Sequence, residues 1–312
     1  MASSSSILFT AYSPMPPTLP SRVVTRLVAL SLASQLATVA APAAASGPSV
    51  AAYRGPGAWV DIYSRRELAR PEAVVADLAA RGVRTLYLET ANYRRSRAQL
   101  IVHARADERF LDAAHARGIR VVAWYLPGLR DLDADFARAL AAIEFETLAG
   151  ERFDGFALDI ESTVVHPIAR RNAALLELSR NLRTAVGPAQ ALGAIVPDDL
   201  STTCLGCLWP GFPYRAIGRL YDVFLPMAYS TFRRRGAGPV GAYTRANDAR
   251  VRRQTGRAGA PVHPIGGLAD GLDRREAAAV VAAARATRAV GVSFYNVGRS
   301  GPEEWTALRA FP

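Results

Sequence analysis

The 312-residue chain has no lysine: its 38 basic residues are all arginine, and the formal net charge is +11. Arginine is spread along an alanine-rich chain with no helix-turn-helix, zinc-finger or RNA-binding pattern, which argues against a nucleic-acid partner. Cysteine is nearly absent. Cys204 and Cys207 are the only two, too few for a four-cysteine zinc site, and the four histidines offer no pair at metal-ligand spacing. No serine sits in a nucleophile elbow, and no glycine-rich phosphate loop joins an early strand to a helix. Metal hydrolysis and serine-esterase chemistry are therefore disfavoured, and no cofactor or metal is implied.

Long apolar runs are lacking as well. The segment Leu27 to Ala40 is mostly apolar, but Ser31, Ser34 and Gln35 interrupt it and it is too short to span a bilayer comfortably. Before it come a Ser- and Pro-rich stretch, Arg22 and Arg26, and after it the small residues Ala43, Ala44 and Ala45. That order reads as a secretory signal over residues 1–46, followed by a linker over 47–56, with an uncleaved anchor as the alternative. The expected location is outside the cell or in its envelope, with no stable membrane span once the signal is removed. In that oxidising setting Cys204 and Cys207 would form a small disulfide pinning their Gly- and Pro-rich loop, two unpaired thiols being the alternative.

From residue 57 onward short β-branched or aromatic runs alternate with longer Ala-, Leu- and Arg-rich stretches of helical period. Strands are expected at Ala58–Tyr63, Arg84–Glu89, Ile119–Leu126, Phe153–Glu161, Ala191–Val196, Val223–Tyr229, Pro261–Ile265 and Val292–Asn296. Between them come helices such as Pro71–Arg81, Asp131–Leu148 and Pro167–Val186, with proline at starts and glycine at ends. Eight strand-then-helix units in about 250 residues is the arithmetic of an α/β protein folded as one (β/α)8 TIM barrel over residues 57–312, an open doubly wound sheet being the runner-up.

Barrels keep their chemistry where the strands run out. Those positions hold Asp61 and Tyr63, Glu89, Trp124 and Tyr125, Asp159 and Glu161, Asp198, Met227 and Tyr229, the glycines Gly266 and Gly267, and Tyr295 with Asn296. Carboxylates can move protons and aromatic faces can stack on sugar rings, so acids among aromatics suit a carbohydrate mouth. The fourth strand is the most informative. Period-two alternation sends Ala157, Asp159 and Glu161 to one side and Phe156, Leu158 and Ile160 to the other. Two neighbouring carboxylates on a buried strand are costly unless they are used.

Asp154 to Glu161, DGFALDIE, resembles the Asp-Gly-x-Asp-x-Asp-x-Glu segment of the chitinase-like family 18 glycoside hydrolases. Pro226-Met227-Ala228-Tyr229 resembles that family's sixth-strand segment, and the mature region is also similar to secreted actinobacterial barrel proteins of unassigned activity. The resemblance implies that Glu161 is the general acid, that Asp159 and Tyr229 hold an acetamido group acting as nucleophile, and that Asp154 and Gly155 are structural. Ala157 stands where the family has its middle Asp, and Ser230 where an acid follows the Tyr.

Glycosidic hydrolysis by Glu161, Asp159 and Tyr229 is thus one reading, with Asp61, Glu89, Trp124, Tyr125, Asp198, Met227, Tyr295 and Asn296 lining the substrate. Glu89, Asp61 and Asp198 are each candidates for a second carboxylate in a two-carboxylate route. A barrel that binds glycan without cleaving it is the alternative. Arginines in the loops of this face (Arg65, Arg66, Arg94, Arg95, Arg97, Arg130, Arg233 to Arg235 and Arg299) suit an anionic polysaccharide or oligosaccharide, or else are solvated loop charge.

Overall fold

The computed structural model describes residues 49–198, 200–202 and 208–312; the signal segment and the Cys204–Cys207 pair lie outside the described residues. Eight parallel strands form the core: β1 (Gly55–Val60), β2 (Thr85–Asn92), β3 (Arg120–Leu126), β4 (Gly155–Asp159), β5 (Leu192–Val196), β6 (Val223–Pro226), β7 (Ile265–Leu268) and β8 (Gly291–Tyr295). They pair in the order β6-β5-β4-β3-β2-β1-β8-β7. One bridge, Phe224 with Val262, joins the two ends, so the sheet is a nearly closed (β/α)8 barrel.

Around the barrel run α1 (Arg65–Leu68), α2 (Pro71–Ala80), α3 (Ala104–His115), α4 (Leu132–Ile143), α5 (Ile168–Val186), α6 (Tyr214–Ile217), α7 (Ala237–Thr255), α8 (Arg274–Ala286) and α9 (Pro302–Leu308). Local chemistry sets their ends. Pro71 opens α2, an Asp273–Glu276 capping box opens α8, and Gly187 and Gly256 end α5 and α7 at φ of 65° and 71°. Among the described residues no helix is long and apolar enough to cross a membrane.

Alternation along the strands divides the core in two. Trp59, Tyr87, Val122, Trp124, Ala157, Ile195 and Leu225 fill the barrel, while Val60, Leu88, Ala123, Phe156, Leu158 and Val196 face the helices. Phe156, Leu158 and Ile160 face outward and Ala157 inward, as the sequence pattern requires.

Several boundaries differ from the sequence expectation, three of them for a local reason. The seventh strand lies at Ile265–Leu268 rather than Pro261–Ile265, because Pro261 and Pro264 have no N–H to give a ladder. The fourth helix stops at Ile143, since Glu146 and Arg152 pair in an antiparallel bridge that turns the chain into β4. The expected linker is structured from Ala51, where a 3-10 turn (Ala51–Tyr53) leads into β1.

Tyr53 is fully buried inside the barrel, its hydroxyl donating to Phe156 O at 2.7 Å and Ala191 O at 3.3 Å. Glycine makes this possible. A Cβ on Gly193 would stand 2.7 Å from the Tyr53 ring, and one on Gly291 2.2 Å from the His263 imidazole. His263 contacts Tyr53 O at 2.9 Å, Tyr87 OH at 3.1 Å and Ser293 Oγ at 3.0 Å, and the Trp59 indole donates to the same Ser293 Oγ at 2.8 Å. The amino end of the barrel interior is thus closed by a paired polar plug. Outside it, His115 bridges Glu151 and Asp154 at 2.5 and 2.9 Å, and the two carboxylates push its pKa up to about 9. Asp154 also accepts from Val121 N at 2.7 Å, a purely structural position.

Candidate active site

At the carboxyl ends of the strands the barrel opens into a cavity of about 270 Å³. Trp59, Glu89, Asn92, Trp124, Asp159, Ile195, Ile265, Leu268 and Tyr295 of the strands line it, with Tyr63, Arg94, Glu161, Met227 and Tyr229 from the segments that follow them. A second cavity of about 130 Å³ shares Glu161, Met227 and Tyr229 and continues to Asp198, Phe232 and Arg233. Glu161 therefore stands between two recesses of one mouth. Exposed aromatic rings mark both sides, Tyr63 at 56% and Phe232 at 66% exposure.

The carboxylates are the unusual part. Asp159, the last residue of β4, is buried, and its Oδ1 has no hydrogen-bond partner among the described residues. Burial, then the fields of Glu161 and Glu89, hold its pKa well above the usual carboxylate range. Directly beneath, on the same side of the strand, is Ala157, packed with the Tyr53 ring at the Gly193 position. No acid stands there to share a proton with Asp159.

Glu161 lies just past β4, where Ile160 N still bonds Ile195 O at 2.9 Å. Half-buried, it has its pKa raised by desolvation against the opposing pull of Arg94. No described residue hydrogen-bonds its carboxyl. Glu89 is more firmly held: Ile62 N donates to Oε2 at 3.0 Å and Asn92 Nδ2 to Oε1 at 3.1 Å. Even so, desolvation raises Glu89 to about 7. Tyr229 is held well above its ordinary range by burial and by Asp159 and Glu161, so its phenol stays a proton donor.

The other expected residues separate into three groups. Trp124, Met227 and Tyr295 line the main cavity. Asp61 and Asn296 do not: Asp61 accepts from Tyr295 OH at 2.7 Å and Asn296 Nδ2 at 2.8 Å, and from Ser64 Oγ at 3.0 Å, so the pair orients Tyr295 and the first loop. Asp198 lies in the second cavity, where it accepts from Tyr243 and, at 3.3 Å, from Arg233. Tyr125 requires a correction. As the neighbour of inward Trp124 it points the other way, and its hydroxyl donates to Asp135 of α4 at 2.5 Å. Ser230 is turned from the mouth too, donating to Gly266 O at 2.9 Å.

No protein-family model and no curated protein matches the chain. Solved structures do. An endo-beta-1,4-mannanase from Thermotoga petrophila aligns over 83% of this chain and 76% of its own at TM-score 0.61 and 8% identity. A chitinase from Chromobacterium violaceum covers 82% and 98% at 0.53 and 14%, and the Bacillus cereus spore cortex-lytic enzyme SleL covers 85% and 74% at 0.55 and 12%. The fold these structures share with the chain is the TIM barrel. At these identities the likeness lies in backbone path, and what happens in the mouth depends on this chain's own side chains.

In this barrel the mouth offers a half-buried acid of raised pKa, a buried carboxylate beside it and a phenol donor, with indole and phenol rings around them. Such a set can protonate a leaving oxygen and hold a polar group of the same substrate. Among the lining residues that escaped the sequence reading are Trp59, Asn92, Ile195 and Phe232. Trp59 and Ile195 sit at inward positions of β1 and β5, and plain alternation could have found them. Asn92 could not be found so, because β2 shifts register between Glu89 and Ala91, and the shift turns Asn92 inward with Glu89.

Proposed function

We propose that the protein hydrolyses a glycosidic bond in an extracellular or cell-envelope polysaccharide, with Glu161 as general acid and base. The observation that carries this is the placement of Glu161 between two open recesses, with burial raising its pKa and no described group occupying its oxygens. A protonated Glu161 gives its proton to the departing glycosidic oxygen as the carbon–oxygen bond breaks; the carboxylate left behind takes a proton from the water that completes hydrolysis. Asp159 and the Tyr229 hydroxyl hold the reacting sugar on the opposite side of that bond. Trp59 and Trp124 supply apolar faces for the ring, and Arg94 gives the cleft a cation that an acidic sugar can pair with. Structural neighbours titled mannanase, chitinase and spore cortex-lytic enzyme support a carbohydrate as partner.

The test is a panel of fluorogenic N-acetylated, neutral and uronic-acid glycosides, given to the protein and to Glu161→Gln. Turnover of at least one member, lowered on the order of 100-fold or more in the variant, is expected. Equal turnover by both proteins sinks the proposal. One observation favours a second reading, a binding barrel without turnover: the unpartnered Asp159 Oδ1 above Ala157. Retention of a glycan with no turnover of any panel member selects it. Export follows from the same proposal, and the N-terminus of protein recovered from the medium of a secreting host, near residue 46, is its check.

A further inference from the structure

Beside the acid mouth lies a separate cavity of about 210 Å³, walled by Tyr93, Arg95, Arg97, Arg130, Asp131 and Arg138 among others. It is built by the loops after β2, β3 and β4 and by the start of α4, and the loops after β2 and β4 also shape the mouth. Tyr93 lines this cavity while Arg94, stacked 5.5 Å from the Tyr93 ring, lines the other; Val164 lines this one, three residues after Glu161.

Its arginines are not equivalent. Arg138 is buried and structural: it donates to Arg95 O at 2.8 Å, Ser96 O at 3.0 Å and Tyr125 OH at 3.3 Å, holding the loop after β2. Arg97 pairs with Asp131 at 2.9 Å. Asp135, the other acid here, is consumed by Tyr125 OH, Gly128 N and Leu129 N. Arg130 makes one contact, to Val164 O at 3.3 Å, and the Arg95 side chain makes none among the described residues, although its Nε is sealed from solvent. Four guanidinium groups thus face two carboxylates, and two of the four have donors to spare. A buried N–H without an acceptor is unfavourable, and an anionic oxygen satisfies it better than any other partner.

We propose that this cavity binds the anionic substituent, carboxylate or phosphate, of a sugar neighbouring the one held at Glu161, with Arg95 and Arg130 as its ligands. The inference rests on the glycan reading of the mouth and narrows it to an acidic glycan. Carboxylate and phosphate offer the same forked oxygens to a guanidinium, so the assignment is of charge and geometry rather than of one sugar.

Calorimetric titration of the full chain tests it with three ligands: an oligogalacturonide, its fully methyl-esterified form, and a phosphorylated mannan oligosaccharide. Binding at least tenfold tighter to one of the charged ligands than to the ester is expected, and which one is preferred names the source of the charge. Arg95→Gln and Arg130→Gln should each cost about tenfold on the charged ligand alone and flatten its salt dependence, with losses adding in the double variant. Arg120→Gln, an exposed arginine at the opposite end of the barrel, should change nothing. Because neither tested side chain holds the fold, unfolding midpoints should match the parent; if the double variant does not fold, exposed Arg130→Gln carries the test alone. Equal affinity for charged and esterified ligand, no binding of any of them, or undiminished charged-ligand affinity in the arginine variants overturns the proposal. Glu161→Gln separates it from the hydrolase reading: that variant should keep the charge preference, so loss of preference in the arginine variants and loss of turnover in Glu161→Gln succeed or fail independently.

Discussion

The two ends of the barrel interior are built from similar residues and behave oppositely. At the amino end Tyr53, Tyr87, His263, Ser293 and Trp59 form a plug in which the polar groups find partners inside the barrel. At the carboxyl end Asp159 Oδ1 and the Trp124 indole N–H are buried without partners among the described residues, none of which hydrogen-bonds Glu161 either. Burial is common to both; satisfaction is not. Unpaired buried polar groups cost free energy, and at this mouth a ligand can satisfy them.

Titration makes the contrast measurable. His263 is pushed down to about 4 by burial, so between pH 6.5 and 4 the unfolded chain binds the extra proton and stability falls as pH is lowered. Glu89 is pushed up to about 7, so between pH 4.5 and 7 the folded chain binds the extra proton and stability falls as pH is raised. The plug weakens as pH falls and the mouth as pH rises, over windows that overlap.

The largest expected effect is at the plug. Tyr53→Ala should lower the unfolding free energy by about 4 kcal/mol through cavity formation and two lost hydrogen bonds, measured by urea denaturation. A loss under about 1 kcal/mol would remove the plug from the comparison. Next, the loss tied to His263 as pH falls and the loss tied to Glu89 as pH rises should each reach roughly 3 kcal/mol, opposing each other where their windows overlap. Relative to the parent, His263→Asn should make stability fall more with rising pH across that overlap, and Glu89→Gln should make it fall more with falling pH. Both variants shifting the slope in the same direction would break the contrast. Asp159→Asn keeps the shape without the charge, so stability should stay within about 1 kcal/mol or rise while turnover falls. A stability loss as large as that of Tyr53→Ala would make Asp159 a structural residue. The smallest effect is expected from Arg94→Gln, which removes the cation opposing the rise at Glu161; the alkaline limb of the pH–rate profile should move up by less than about one pH unit, since Arg94 is exposed and screened.

The barrel plan and the fourth-strand side of the mouth were legible because both rest on alternation and on turn residues near in sequence. Ala157 and Ile160 lie on the sides that counting by two assigns them. Counting by two also rules Tyr125 out of the mouth once Trp124 is in it, and grouping both at a strand end ignored that parity. Asn92 was illegible for the opposite reason: a register shift breaks the count between Glu89 and Ala91. Asp61 and Asn296 have the residue types of ligand contacts, yet bond each other, and only their meeting across β1 and β8 reveals it.

The sequence by itself determined the eightfold rhythm, the inward side of β4 and the presence of Asp159 and Glu161 on it, since strand geometry is a property of adjacent residues. Tertiary structure alone decided that Tyr53, from a stretch that reads as linker, would fill the barrel beneath Ala157, and that Glu89 would come near enough to raise Asp159 further. Desolvation and charge fields depend on distance in space, and residue 53 comes near 157, as 89 comes near 159, only when the barrel forms.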